Sequence, residues 1–419
     1  MAVATDLQAT AEKTAEPLIS WLMEQGLLGA SQADLLQGYC QRMSELGVAL
    51  YRFHLAQRAF HPKFGGIGFN WTHAEGLSHQ HYEYRESPRE EWLRSPFYYY
   101  LTNGLDEFRA KLDTGEDHSA FPLLVELQER GATEYFAMGL LFEEIETETY
   151  DSTHAPEGIM VSWTCDRSGG FSDLELEIIR TTLPFLGLSL KSSSNRQMAD
   201  DLLKVYLGRD AGRRVLSGEI QRGSSQQIDA VIWYFDLTGF TSLAEQIPGP
   251  ELIAMLNDYF ALAVDAVQSK GGNILKFMGD GMMAMFDLGS IEEDAAAALE
   301  AAIQLQSAVR VRNAERQSEG LPVTDFTLAL HAGEILYGNI GAENRLDFTV
   351  IGPTVNLTSR ISGMHRSVGQ SIIVSEQVQR AVMKSAQGLP AHDLISLGRY
   401  MLRGVADPIE LFTIYEGRA

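Results

Sequence analysis

Apolar positions divide this chain into an irregular first half and a regular second half. In the second half, IDAVIWYF predicts a strand, and PELIAMLNDYFALAVDAVQSKGG predicts a long helix, with Pro250 in its first turn and a glycine pair at its end. NILKFM and MMAMF predict two strands around a Gly-Asp-Gly turn, and IEEDAAAALEAAIQLQSAVRVRNAE a second long helix. FTLALHAG, EILYGNIG and TVIG then predict strands, followed by a helix from about Thr354 and a strand at QSIIVS. In the first half, helices are predicted near Pro17 and after Ser31, where Leu35, Leu36, Tyr39, Cys40, Met43 and Leu46 keep helical spacing. HPKFGGIGFNW predicts a turn-rich segment and YEYRESPREEW a charged loop. SPFYYYLTNG predicts a strand, LDEFRAKLD a helix, and the alternating ends of ATEYFAMGLLF and EGIMVSWTCD two strands. Ser172 and Glu175 have capping-box spacing at the start of a helix that runs to about Leu190.

This order gives an α+β protein. Residues 1–14 read as a loose tail, 15–191 as an α/β sensor-like domain, 192–226 as a helical connector and 227–419 as a βαββαβ domain with a ferredoxin-like core. The connector carries a narrow apolar stripe, Leu202, Leu203, Tyr206 and Leu207, suited to pairing with its own copy. By pattern alone the sensor-like domain resembles the GAF/PAS class of small-molecule input domains.

A chain of 419 residues is long enough for two domains. Its 45% hydrophobic and 21% charged residues are ordinary for a soluble globular protein. No apolar run reaches the roughly 18–20 residues that span a bilayer, and the polar start MAVATDLQATAEKTAEP lacks a signal-peptide core, so a cytoplasmic protein is expected. Two cysteines, Cys40 and Cys165, make neither a disulfide framework nor a zinc cage and read as buried thiols. His54, His61, His73, His79 and His81 read as ordinary polar or core residues. The net charge of −23 argues against nucleic acid or an anionic membrane as partner. It also disfavours a polyphosphate substrate unless metal ions or local cations offset it.

Two acids stand out. Asp236 ends a strand in FDLTGFTS, and Asp280 sits at the hairpin tip in KFMGDGMMAMF. Alone, each reads as a cap or turn residue. Brought together on neighbouring strands, two carboxylates beside a triphosphate are what Mg²⁺ requires, since it takes oxygen ligands and keeps phosphate oxygens in its shell. Backbone N–H groups after Asp236 could face phosphate oxygens. Lys276 interrupts an apolar strand, where an ammonium costs desolvation unless it has a partner. Asn356 and Arg360 lie one helical turn apart, on one face.

FDLTGFTSLAE, KFMGDGMMAMF, HAGEILYGNIG and FTVIGPTVNLTSR, in this order and spacing, resemble a class III nucleotidyl cyclase catalytic domain. The resemblance implies a head-to-tail homodimer with shared active sites. It implies two metal ions, Mg²⁺ or Mn²⁺, on Asp236 and Asp280, with Leu237, Thr238, Gly239, Phe240 and Thr241 lining the phosphates. It implies Lys276 as the residue that reads adenine, Asn356 as the ribose contact, Arg360 as the guanidinium on the transferring phosphoryl group and Arg403 near the terminal phosphates. Thr349 stands where an aspartate is usual, as in the Thr-bearing bacterial subclass, which includes bicarbonate-responsive members. Two departures are Gly352-Pro353-Thr354 in place of Gly-Asp, and Glu334 where some relatives carry arginine. The expectation is an adenylate cyclase acting on ATP and regulated by an unidentified ligand or partner of the N-terminal domain. The alternatives are a guanylate cyclase and a non-enzymatic nucleotide-binding signalling module.

Overall fold

The computed structural model describes residues 2–59, 61, 63–85, 87–142, 157–385 and 394–415, with the backbone alone for 2–5. Pro62 and Glu86, and the segments 143–156, 386–393 and 416–419 of the two expected domains, lie outside the described residues. The chain divides into two units, 1–202 and 203–419.

In the first unit, α1 (Ala2–Leu28) and α2 (Gln32–Glu45) precede β1 (Arg52–Arg58), β2 (Phe64–Thr72) and β3 (Gly76–Glu83). Then come α3 (Glu90–Leu93), α4 (Pro96–Thr102), β4 (Phe108–Lys111), α5 (Pro122–Glu129), β5 (Glu134–Leu141), β6 (Gly158–Cys165) and α6 (Asp173–Leu207), which runs past the division between units. The strands form one antiparallel sheet in the order β3-β2-β1-β6-β5-β4. On one face Phe53, Leu55, Trp71, Phe136 and Trp163 pack with residues of α1, α2 and α6. On the other, Ala110, Tyr135, Ala137 and Met160 pack with Phe97 and Tyr100 of α4 and Leu124 and Leu127 of α5. Cys40 and Cys165 are buried free thiols.

Several local expectations are corrected. The chain is helical from Ala2, not loose over 1–14, and Pro17 lies inside α1. Ala11, Ala15, Leu18 and Leu22 are buried at helical spacing, so the packed face continues ahead of the proline on alanines, whose apolar signal is weak. SPFYYYLTNG is helical because Ser95 Oγ accepts from Tyr98 N at 3.0 Å and Pro96 occupies the first turn, overriding the strand preference of the aromatics. LDEFRAKLD contributes the edge strand β4 rather than a helix, because Phe108 and Ala110 alternate into the core beside β5. Most of the turn-rich stretch is β2, whose Gly66 and Gly68 lie beneath the Tyr82 ring of the neighbouring strand. The capping box forms: Ser172 N donates to Glu175 Oε2 at 2.7 Å and Glu175 N to Ser172 Oγ at 3.4 Å.

The second unit contains α7 (Arg209–Leu216), β7 (Ser225–Leu237), α8 (Phe240–Gln246), α9 (Gly249–Ser269), β8 (Asn273–Met278), β9 (Gly281–Phe286) and α10 (Ile291–Ser318). It continues with β10 (Phe326–Ala342), β11 (Arg345–Ile351), α11 (Pro353–Ser362), α12 (His365–Val368), β12 (Ile372–Ser375), α13 (Glu376–Lys384), β13 (Leu394–Tyr400) and β14 (Ile409–Ile414). The sheet order is β13-β14-β12-β10-β7-β9-β8, with β11 paired to β10. One face packs against α9, α10 and α13 around Trp233, Phe235 and Phe286. On the other, Phe348 and Val350 of the β10–β11 ribbon cover Ile232, Met283 and Met285. Two strands expected at FTLALHAG and EILYGNIG are a single strand, β10. Gly333 does not break it. A Cβ there would lie 2.7 Å from Thr354 Oγ1, so the glycine admits α11 against the strand.

Candidate active site

The C-terminal end of β7 lies beside the tip of the β8–β9 hairpin. Asp236 pairs with Gly281, and Leu237 N donates to the Asp280 carbonyl at 3.2 Å. Gly279 adopts φ 65°, which a tight turn requires of glycine, and a Cβ on Gly281 would come within 3.0 Å of Asp236 Oδ1. The two carboxylates are thus set on adjacent backbone by strand pairing. Burial, and then the charge of Asp280, push Asp236 up to about 6. Among the described residues neither acid forms an ion pair, and no group of three or more His, Cys, Asp or Glu side chains is arranged to hold a metal. Two half-buried acids with uncompensated charge fit a divalent cation that draws its remaining ligands from water and phosphate oxygens.

The stretch after Asp236 divides in two. Thr238 N donates to the Asp325 carbonyl at 2.8 Å, so the N–H groups of Leu237 and Thr238 are both committed within the protein. Gly239, Phe240 and Thr241 open α8, where N–H groups have no intrahelical acceptor.

A second group forms around Lys276. The β8–β9 register shifts between Ile274 and Lys276, which sets Lys276 opposite Met283. From there Nζ reaches Asp347 Oδ2 on β11 at 3.3 Å. Thr349, two residues along the same strand, is buried, and its Oγ1 has no hydrogen-bond partner among the described residues. The third group lies on α11. Asn356 and Arg360 are both exposed, and Arg360 Nη1 donates to the Gly404 carbonyl at 3.3 Å. The turn containing Arg403 is seated on this helix by Leu402 and Val405, which pack with Ile361. Glu334, at the position where the resemblance would allow an arginine, is exposed and accepts from Gln227 Nε2.

Residues 224–415 match the family model described as the adenylate and guanylate cyclase catalytic domain. Over these residues the chain is similar to adenylate and guanylate cyclase catalytic domains. An adenylate cyclase of Anabaena cylindrica is 36% identical over 165 residues, which are 38% of this chain and 32% of that protein. Adenylate cyclase 1 of Rhizobium meliloti (strain 1021) is 28% identical over 176 residues, 42% of this chain and 26% of that protein. The chain therefore spans about a third or less of the length of these curated relatives. The crystal structure of the adenylyl cyclase CyaB from P. aeruginosa matches 46% of this chain and 97% of its own, at 24% identity and a TM-score of 0.42.

Sequence reasoning missed two contacts of these candidate residues. Asp347 is the acid that Lys276 meets, and its only signal was a position two residues before Thr349 on an alternating strand. Gly404 holds Arg360 through a main-chain carbonyl, which no side-chain pattern reports. No helix among the described residues is long and apolar enough to cross a membrane.

Proposed function

We propose that the cyclase domain converts ATP to 3′,5′-cyclic AMP and pyrophosphate, using two divalent cations, Mg²⁺ or Mn²⁺, at sites shared between two head-to-tail copies, under the control of the N-terminal unit. The observation that carries this reading is the Asp236–Asp280 pair: two carboxylates on adjacent backbone, one of them pushed up to about 6, with no cation among the described residues paired to them. Bound there, the cations would acidify the ribose 3′-hydroxyl and neutralise charge on the triphosphate. The N–H groups of Gly239, Phe240 and Thr241, together with Arg403, bear on the phosphates. Lys276 donates to the base, while Thr349 and Asp347 offer acceptors to an exocyclic amino group. Asn356 orients the ribose, and Arg360, steadied by Gly404, presents its guanidinium to the transferring phosphoryl group. These groups are anchored on different elements of one copy, and a second copy in the opposite sense would supply the missing half of each site.

Strand order β10-β7-β9-β8, with α9 and α10 on one face, supports a ferredoxin-like reading of the catalytic core. The six-stranded antiparallel sheet with helices on both faces supports a GAF/PAS-like sensor, and Thr349 supports placement in the Thr-bearing subclass. Guanine would be read through its N1–H and amino donors, which call for a carboxylate where this chain has Lys276. The test is incubation of the full chain with Mg²⁺ or Mn²⁺ and either ATP or GTP, with products identified by mass spectrometry. Cyclic AMP with pyrophosphate is expected. Preferred turnover of GTP would transfer the reading to a guanylate cyclase, and tight nucleotide binding with no cyclic product would sink the enzymatic reading. An unchanged rate in a chain lacking residues 1–202 would remove the regulatory role.

A further inference from the structure

In the first unit, the sheet face that carries α4 and α5 holds a polar patch whose hydrogen bonds are incomplete. Strand register sets Arg52 opposite Thr164 and His54 opposite Ser162 across β1 and β6, and His54 opposite Asn70 across β1 and β2. Asn70 Oδ1 accepts from Arg52 Nη2 at 2.6 Å and lies 2.9 Å from His54 Nδ1. Among the described residues, Arg52 Nη1, Ser162 Oγ and Thr164 Oγ1 are buried without a partner. Ser162 and Thr164 are 0% exposed. Buried polar atoms are nearly always paired, because each one left alone forfeits its hydration with nothing in return. Three such atoms on one face of two adjacent strands leave both donor and acceptor capacity that the described residues do not answer.

The charge points the same way. Among the described residues no carboxylate pairs with Arg52. Glu126 of α5, whose charge reaches it, is engaged by Arg130 at 2.7 Å. Burial holds Arg52 below its ordinary pKa and, together with the charge of Arg52, pushes His54 down to about 4. At neutral pH the patch therefore presents one cation and one neutral imidazole. Its neighbours are apolar and aromatic: Phe97 of α4 stacks on His54 with centroids 5.8 Å apart, and Tyr135 and Met160 belong to the core cluster on the same face.

We propose that this patch is a binding site for a small monoanion, a carboxylate on an aromatic or apolar frame, held by the Arg52 guanidinium with Ser162 and Thr164 completing its hydrogen bonds. A carboxylate takes two parallel N–H bonds from a guanidinium. A single cation answers a single negative charge, whereas a phosphate dianion would leave one charge buried and unanswered. The aromatic neighbours favour a flat apolar frame over a sugar. The site stands independently of the cyclase reading, and its test needs no turnover.

Benzoate serves as the probe, with benzamide as its neutral isostere and inorganic phosphate as the competing anion. Each is titrated into the full chain by calorimetry and thermal unfolding. Benzoate is expected to bind saturably and raise the Tm, while benzamide and phosphate leave it unmoved. Arg52→Met should weaken benzoate at least tenfold, yet unfold no lower than the wild type, because it removes a half-buried cation that has no counter-charge among the described residues. Thr164→Val, close to isosteric, should weaken benzoate several-fold with the fold intact. The proposal is overturned if benzoate shows no saturable binding, if phosphate binds as well as benzoate, if both variants bind benzoate like the wild type, or if Arg52→Met unfolds well below the wild type, which would make Arg52 a structural residue.

Discussion

The raised pKa of Asp236 has a measurable consequence for metal binding. A carboxylate must be ionised to ligate a divalent cation, so protons and metal compete for it. With Asp236 at about 6 in the metal-free protein, about a quarter of the molecules carry the ionised form at pH 5.5 and nearly all do at pH 7.5. The apparent affinity for Mn²⁺ should therefore strengthen about fourfold over that interval, and below pH 5.5 the slope should approach tenfold per pH unit. At the ordinary aspartate value of 3.8, Asp236 would be almost fully ionised throughout, and the profile would be flat. The assay is Mn²⁺ binding to the nucleotide-free protein by electron paramagnetic resonance at constant ionic strength. Asp236→Asn should bind more weakly at pH 7.5 and lose the pH dependence. A flat wild-type profile between pH 5.5 and 7.5, or an unchanged profile in Asp236→Asn, would refute the reasoning.

Three further perturbations follow from particular contacts. Asp294 is 1% exposed and is pushed by burial to about 7, so its charge disfavours the folded state progressively as pH rises from about 4 to 7 and fully above that. Asp294→Asn, which keeps an acceptor for Leu288 N, should raise the Tm at pH 8, by at most about 4 kcal/mol of stability, and leave it unchanged at pH 4. Gly333→Ala would force a methyl against Thr354 Oγ1, which donates to the Glu334 carbonyl at 2.7 Å. It should cost about 1–3 kcal/mol in chemical denaturation and displace α11, lowering the turnover rate. The Lys276–Asp347 pair is 35% and 60% exposed, so breaking it by Asp347→Asn should change stability by less than about 1 kcal/mol. The same variant should shift the ratio of ATP to GTP turnover if Asp347 faces the base, and an unchanged ratio would remove it from base reading.

Much of the second unit was legible because its signals are local and agree. Apolar runs of strand length, two long helices with proper ends and a Gly-Asp-Gly tip predict the elements β7 to β10 with little help from the rest of the chain, apart from the division of β10 at Gly333. The first unit was less legible because its local signals conflict with its packing. Aromatic residues at 97–100 favour strand but are capped into a helix, glycines in β2 read as turns until Tyr82 is laid over them, and the buried alanines of α1 carry little apolar signal.

The same division holds for the candidate active site. The sequence alone determined which residue types are present and their spacing: the acids Asp236 and Asp280, the interrupting Lys276, and Asn356 and Arg360 one turn apart. Only the tertiary structure decided which groups meet. Cross-strand register set Asp236 against the Asp280 turn, a bulge in β8 set Lys276 opposite Met283, the folded-over β10–β11 ribbon delivered Asp347 to it, and close packing at Gly333 fixed α11. The reason is physical. Spacing along a strand or helix is set by backbone geometry, which every segment carries within itself. Proximity across elements depends on strand register and on which side chains fill the space between them, and no single segment encodes either.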